Sequence, residues 1–296
     1  MRDCPRQMRG GRIHGAGRVA AFASVALVSA LCASSALGAI NSSGGFTYVT
    51  KHRQVSEPPT QISRAFEAPC PRGTHVYGGG TYNDQGFGDV VVGHSAPLDG
   101  GDKDRRPDDG WKAVLNYLDA MDVYTYAICA APEPRYERTE VEADGAVISW
   151  SLPCDKPGEW PISGGTTGSS QVVEIDSYPS PVARQWEFAV YNASLTSPTL
   201  KATAVCAKLD VTLAQHSVDV DPDEQESAFA TCAGKRRIVG GGQFVPNDNG
   251  NIFGAASRPI GTGTPGTRGW ESWVDNYGDF MQGFTAYGVC AKPLKH

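Results

Sequence analysis

The chain has 296 residues, of which 40% are hydrophobic and 20% charged, and it carries a formal charge of −6. That composition excludes a disordered or fibrous chain and leaves enough apolar material for a core of ordinary size. The acidic balance disfavours nucleic acid, whose phosphates it would repel, and anionic membrane surfaces.

Residues 1–39 read as a secretory signal peptide. Arg2, Arg6, Arg9, Arg12 and Arg18 form a basic stretch, Val19 to Ala36 is apolar and uncharged, and Ala36-Leu-Gly-Ala39 offers small residues for cleavage. A membrane anchor is the alternative, but the run is rich in Ala and Ser and barely long enough to span. Cys32 follows Leu31, which is a poor lipoprotein site. Cleavage would remove five Arg and one Asp, leaving 21 basic and 31 acidic side chains and a formal charge of −10. The mature chain is expected to be secreted and free of the membrane. Residues 40–45, which include Asn41-Ser-Ser-Gly-Gly45, read as a flexible leader.

From Phe46 to the end, one pattern occurs three times, in units of about 46–130, 131–207 and 208–292. The first reads Cys70-Pro-Arg-Gly-Thr-His-Val-Tyr-Gly-Gly-Gly80, then Ser95-Ala-Pro97, Trp111 to Asn116, and Tyr126-Ala-Ile-Cys-Ala130. The second runs from Cys154 through Ser177-Tyr-Pro179 and Trp186 to Asn192, ending at Cys206. The third runs from Cys232 through Gly240–Gly242, Ser257-Arg-Pro259 and Trp270 to Asn276, ending at Cys290. From the first Cys to the Ser of Ser-x-Pro the steps are 25, 23 and 25 residues. A long period that repeats cysteines, glycines and a Trp means one supersecondary unit used three times.

Within each unit the signals are those of strands. Asp89-Val-Val-Val is a β-branched run, Val123-Tyr-Thr-Tyr-Ala-Ile-Cys alternates, and 35 Gly with 20 Pro favour tight turns over long helices. Each unit offers four or five strands and no convincing helix. Six cysteines remain in a mature exported chain, an even number that implies disulfides. The repeat selects Cys70–Cys129, Cys154–Cys206 and Cys232–Cys290. No Cys-x-x-Cys pair supports zinc. A lone sheet of this size has an apolar face with nothing to cover it. Three around a pseudo-threefold axis cover one another, so the expected fold is all-β, a single three-repeat β-prism-like domain over 46–296. A β-trefoil, or three small β domains in tandem, are the alternatives.

The pattern Cys-Pro-x-Gly-x-x-Val-x-Gly-Gly-Gly with Ser-x-Pro and Tyr-Ala-x-Cys-Ala resembles a repeat of uncharacterised secreted bacterial proteins. More distantly, the Cys…Gly…Asn…Cys unit taken three times resembles vitelline membrane outer layer protein I, a β-prism. The resemblance covers about residues 46–292. It implies an extracellular, glycan-associated protein and transfers no catalytic residue.

The candidate ligand residues are the tryptophans. Trp111, Trp186 and Trp270 recur with Asn116, Asn192 and Asn276; exposed, they would stack on sugar rings, and buried, they would fill the core. Trp160 and Trp273 do not recur and are the better candidates for contact residues. The triple glycines lack a phosphate-binding spacing and suit a sheet kink. Asp219-Val-Asp-Pro-Asp-Glu and Asp99-Gly-Gly-Asp-Lys-Asp are carboxylate clusters, but the first fails the EF-hand spacing at Glu224 and Ala230, so both read as solvated loops. No cofactor or metal is expected, and no catalytic residue is assigned. His94-Ser95 are strand neighbours that point to opposite faces, and Gly-His-Ser-Ala-Pro is not a nucleophile elbow. The expected function is a secreted, non-enzymatic β-domain that binds glycans or envelope and matrix components. A passive structural or coat protein, and a secreted hydrolase, are the alternatives.

Overall fold

The computed structural model describes residues 38–56, 62–88, 90–100, 106–194, 196–246, 251–261 and 268–294. The expected signal peptide lies outside these residues apart from Gly38 and Ala39. Nineteen strands and no helix occur among the described residues. The first repeat contributes β2 (Phe46–Val55), β3 (Ile62–Pro69), β4 (His75–Asn83), β5 (Val90–Leu98), β6 (Gly110–Tyr117) and β7 (Met121–Ala130). The second contributes β8 (Arg135–Glu142), β9 (Val147–Pro153), β10 (Trp160–Thr167), β11 (Val172–Pro179), β12 (Gln185–Asn192) and β13 (Thr199–Ala207). The third contributes β14 (Val211–Val220), β15 (Glu224–Thr231), β16 (Arg237–Phe244), β17 (Ile252–Ile260), β18 (Gly269–Asn276) and β19 (Gln282–Ala291).

Each repeat makes two antiparallel three-stranded pieces. They are β2-β7-β4 with β3-β6-β5, β8-β13-β10 with β9-β12-β11, and β14-β19-β16 with β15-β18-β17. The two pieces of one repeat belong to different faces of the molecule. β4 meets β17 of the third repeat with Thr81 opposite Ser257, β16 meets β11 with Gln243 opposite Ser177, and β10 lies against β5, where Gly165 sits on the Ser95 carbonyl. Three composite faces result: face I from repeats one and three, face II from two and one, face III from three and two. This is a β-prism-like domain with pseudo-threefold symmetry; the described strands close no barrel.

The triple glycines explain the seams. The last glycine of each, Gly80, Gly165 and Gly242, lies against the backbone carbonyl of Ser257, Ser95 and Ser177 in a neighbouring repeat. The middle one, Gly79, Gly164 or Gly241, lies against Trp111, Trp186 or Trp270 of its own repeat. At the first position, Gly78 and Gly240 approach the carbonyls of Val239 and Ile162, while Ser163 takes the third place and donates its hydroxyl to Tyr77 O at 2.5 Å. A β-bulge falls at the same point of all three strands, leaving Tyr77, Ile162 and Val239 unpaired. All three are buried in the central cluster.

The disulfides close as expected, within repeats, as Cys70–Cys129, Cys154–Cys206 and Cys232–Cys290. They imply an oxidising environment. No described helix is long and apolar enough to cross a membrane.

Two readings need correction. Residues 40–45 are not a loose leader: β1 (Gly38–Ser43) pairs along the edge of β2. Gly44 and Gly45 join them with φ of 62° and 83°, which a two-residue turn between right-twisted strands requires. The tip is tied to the end of the chain, since Leu294 N donates to Gly44 O at 2.9 Å. The second correction is one of register. Asn192 and Asn276 face Val172 and Ile252, but the residue facing Val90 is Tyr117, not Asn116. Asn116 therefore points the other way, at the Ser170 carbonyl, 3.5 Å away. In the same strand Leu115 lies in the core and Val114 is half-buried on the other side. Likewise Val173 is half-buried beside the fully buried Val172 and Ile175.

Candidate functional site

The recurrent tryptophans are core residues. Trp111, Trp186 and Trp270 are 2%, 0% and 1% exposed. Each indole N–H donates to the Ser-x-Pro serine of its own repeat: Trp111 to Ser95 at 2.8 Å, Trp186 to Ser177 at 2.9 Å, Trp270 to Ser257 at 2.8 Å. Recurrence here records a packing unit, in which a glycine makes room for an indole and a serine satisfies its nitrogen. Asn192 and Asn276 are buried turn residues that donate to Ala143 O and Val220 O and accept from backbone N–H groups of Ser194 and Gly278. None of the three tryptophans offers a ring face to solvent.

Trp160 and Trp273 stand apart from each other. Trp160, at the start of β10, has the Arg184 guanidinium 4.9 Å from its ring centroid and joins no other aromatic side chain. Trp273 is different. In β18 the inward residues are Trp270, Ser272, Val274 and Asn276, so Trp273 lies on the outer side of face I, partly exposed. There it ends a row that crosses the face. His52 of β2 stacks on Tyr124 of β7 at 4.6 Å and 18°. Tyr124 lies 6.1 Å from Tyr82 of β4, and Tyr82 lies 6.4 Å from Trp273. The Arg258 guanidinium of β17 sits 3.5 Å over the Tyr82 ring and is held by Glu271 at 2.5 Å. His52 is fixed by Asp122 at 2.9 Å. At the places that Tyr126, Tyr82 and Arg258 hold on face I, face III carries Tyr287, Phe244 and Tyr178, whereas face II carries Thr203, Thr167 and Ala96.

Beside Tyr82 and Trp273 lies a pocket of about 190 Å³, completed by Asn83 to Gly86, Gln225, Ala255 and Ala256. Its loop is pinned at three points. Asp84 Oδ1 accepts from Asp122 N at 2.8 Å, Gln85 Nε2 donates to Ala120 O at 2.8 Å, and Gly88 N donates to Asp275 Oδ2 at 3.1 Å.

Two other concavities differ in character. A cleft of about 700 Å³ at the disulfide end is walled by Tyr77, Tyr136, Arg106, Arg135, Lys156 and Lys208, among others. Two of its cations are paired, Arg135 with Glu137, Asp155 and Glu159, and Arg106 with Glu133. Both tyrosines spend their hydroxyls on backbone carbonyls, and burial pushes the Tyr77 pKa up to about 12. On the axis, a cavity of about 30 Å³ is lined by Trp111, Trp270, the serines Ser95, Ser177 and Ser257, Gln243 and Glu174. Glu174 lines this cavity, and burial raises its pKa to about 8. Its carboxyl is bonded by Thr166 N at 3.2 Å and lies 2.9 Å from Thr166 Oγ1. Thr166 Oγ1 in turn meets His94 Nδ1 at 3.3 Å, and His94 Nε2 donates to Ser169 O at 2.7 Å. Burial lowers the His94 pKa, so its imidazole is neutral. Water fits such a polar cavity; a sugar ring does not.

Among the earlier candidates, then, only Trp273 sits in an array. Its partners His52, Tyr82 and Tyr124 were missed because the four residues are scattered over 221 sequence positions and Trp273 meets the other three only across the seam between repeats one and three. A local signal existed: Tyr82, Tyr124 and Tyr126 alternate with inward residues on neighbouring strands. The Asp219–Glu224 cluster is the β14–β15 turn, with Asp223 at φ 57°. Neither a family model nor a curated protein matches this chain.

Proposed function

We propose that this is a secreted, non-enzymatic glycan-binding domain of the cell envelope or matrix, and that face I is its binding surface. The observation that carries the reading is the row His52–Tyr124–Tyr82–Trp273, four partly exposed rings on four strands of one rigid sheet. A pyranose ring has an apolar face of C–H groups, which the negative face of an aromatic ring attracts. Rings on strands hold their geometry before the ligand arrives, so little conformational entropy is lost on binding. Arg258 adds a donor beside the row that Glu271 keeps in place. The oxidising environment implied by the disulfides and the sequence of residues 1–39 support export.

Affinity electrophoresis through gels containing soluble polysaccharides tests this. Retardation by at least one neutral polysaccharide is expected, and Tyr124→Ala or Tyr82→Ala should abolish it while Trp160→Ala does not. Retention of full binding by both tyrosine variants would remove face I from consideration.

A further inference from the structure

We infer that the pocket beside Trp273 is a subsite for one terminal, neutral sugar ring, so that the protein recognises chain ends and not chain interiors. The inference rests on the reading of face I as the glycan surface and adds where the chain stops. The pocket measures about 190 Å³, below the roughly 300 Å³ at which drug-sized sites begin, and suits a single ring. It lies at one end of the aromatic row, beside the Tyr82–Trp273 pair, with the loop Asn83–Gly86 on one side and Gln225 on the other. A chain lying along His52, Tyr124 and Tyr82 therefore runs into a wall.

The polar groups of the pocket are arranged for hydroxyls. Trp273 Nε1 is buried and has no hydrogen-bond partner among the described residues, although an indole N–H in a folded protein normally has one. Gln85 and Gln225 give their Nε2 groups to Ala120 O and Asp275 Oδ1, which leaves their Oε1 atoms as acceptors. The unpartnered indole N–H and the two uncommitted amide oxygens belong to residues that line this pocket, and together they can serve a sugar hydroxyl pair, each hydroxyl both giving and receiving a bond. Asp84 lines the same wall and disfavours a carboxylate or sulfate there. The loop is already anchored through Asp84, Gln85 and Gly88, so the pocket exists before the ligand does.

The test uses the mature full-length protein and an array of linear neutral tetrasaccharides immobilised by their reducing ends. A parallel set carries a 4,6-O-benzylidene cap on the terminal ring, and a third set ends in a uronic acid. Binding to uncapped neutral chains, lost on capping and weak for the uronate set, is expected. Trp273→Phe keeps an aromatic ring but removes the N–H with part of the indole, and should weaken binding by at least roughly fivefold, the worth of one neutral hydrogen bond. Because the N–H is unpartnered without ligand, that variant should fold normally by circular dichroism. If Tyr124→Ala abolishes binding while capping and Trp273→Phe change nothing, face I remains the glycan surface and the chain-end inference is overturned. Binding confined to the uronate set overturns it as well. No binding to any chain overturns both readings.

Discussion

The backbone carbonyl of Ser177 in the second repeat occupies the space that a side chain on Gly242 of the third would need. The same relation holds between Ser257 and Gly80 and between Ser95 and Gly165, once at each seam of the prism. Because the obstacle is backbone in a packed sheet, it cannot swing aside. Gly242→Ala, Gly165→Ala and Gly80→Ala should each destabilise the fold by about 3 kcal/mol or more, at or above the upper end for overpacked cores. Gly86→Ala, which meets open space, serves as the control and should be nearly neutral in urea unfolding.

The serine that caps each indole makes a separate prediction. Ser177→Ala leaves Trp186 Nε1 buried without an acceptor and should cost about 1–3 kcal/mol. Trp186→Ala empties a fully buried site and should cost about 3–5 kcal/mol. Neither should alter glycan retardation when measured well below the melting temperature, since no ring of the face I row is touched. A selective loss of binding in Ser177→Ala would restore the buried tryptophans as ligand residues.

Glu174 makes stability depend on pH in an unusual direction. Its folded pKa is about 8 against 4.5 when free, so between those values the folded state holds the proton that the unfolded state has released. Stability from this group is greatest below pH 4.5 and declines as pH rises towards and past 8, by at most about 5 kcal/mol. Opposite Glu174, the neutral His94 acts the other way: its folded pKa is lowered, so stability is lost as pH falls below 6.5. Lys112, which also faces His94, adds to that lowering. Glu174→Gln should therefore stabilise the protein at pH 8 and have little effect at pH 4.5, compared by urea titration. A gain of equal size at both pH values would point to packing instead of charge.

Because every face is shared between two repeats, the prism should unfold in one step. Near- and far-ultraviolet circular dichroism are expected to report coincident transitions. A fragment of residues 46–135 would leave the β4 edge without β17 and the β5 edge without β10, and its amide spectrum should be poorly dispersed. A monomeric fragment with native-like dispersion would mean that the seams contribute little.

The architecture was legible where a residue type has one structural use. Cysteines at fixed spacing announced the three bridges, and β-branched runs announced the strands. The prism followed from asking what covers an apolar sheet face. What could not be read was the exchange of half-repeats between faces, because the seam contacts run through glycine and carbonyl groups, which carry no side-chain signature. The β-bulges at Tyr77, Ile162 and Val239 had the same effect on register, and the place six residues after the Trp, held by Asn192 and Asn276, is held in the first repeat by Tyr117 and not by Asn116. At the site, Trp273 stood out by failing to recur. The tyrosines beside it looked like ordinary strand residues until β4 and β18 were seen to share a face.

The joining of β4 to β17 has a consequence in time. Some 170 residues separate Thr81 from Ser257, so face I is unfinished until the last third of the chain has been delivered. A polypeptide emerging from its N-terminal end would hold the β4 edge, three of the four rings of the row and one bridge in place while Trp273 is still missing. Contacts of such long sequence range make folding slow, and an open strand edge invites pairing with another chain. The proposed binding surface is thus the last part to be assembled, and a chain truncated within the third repeat is expected not to display it.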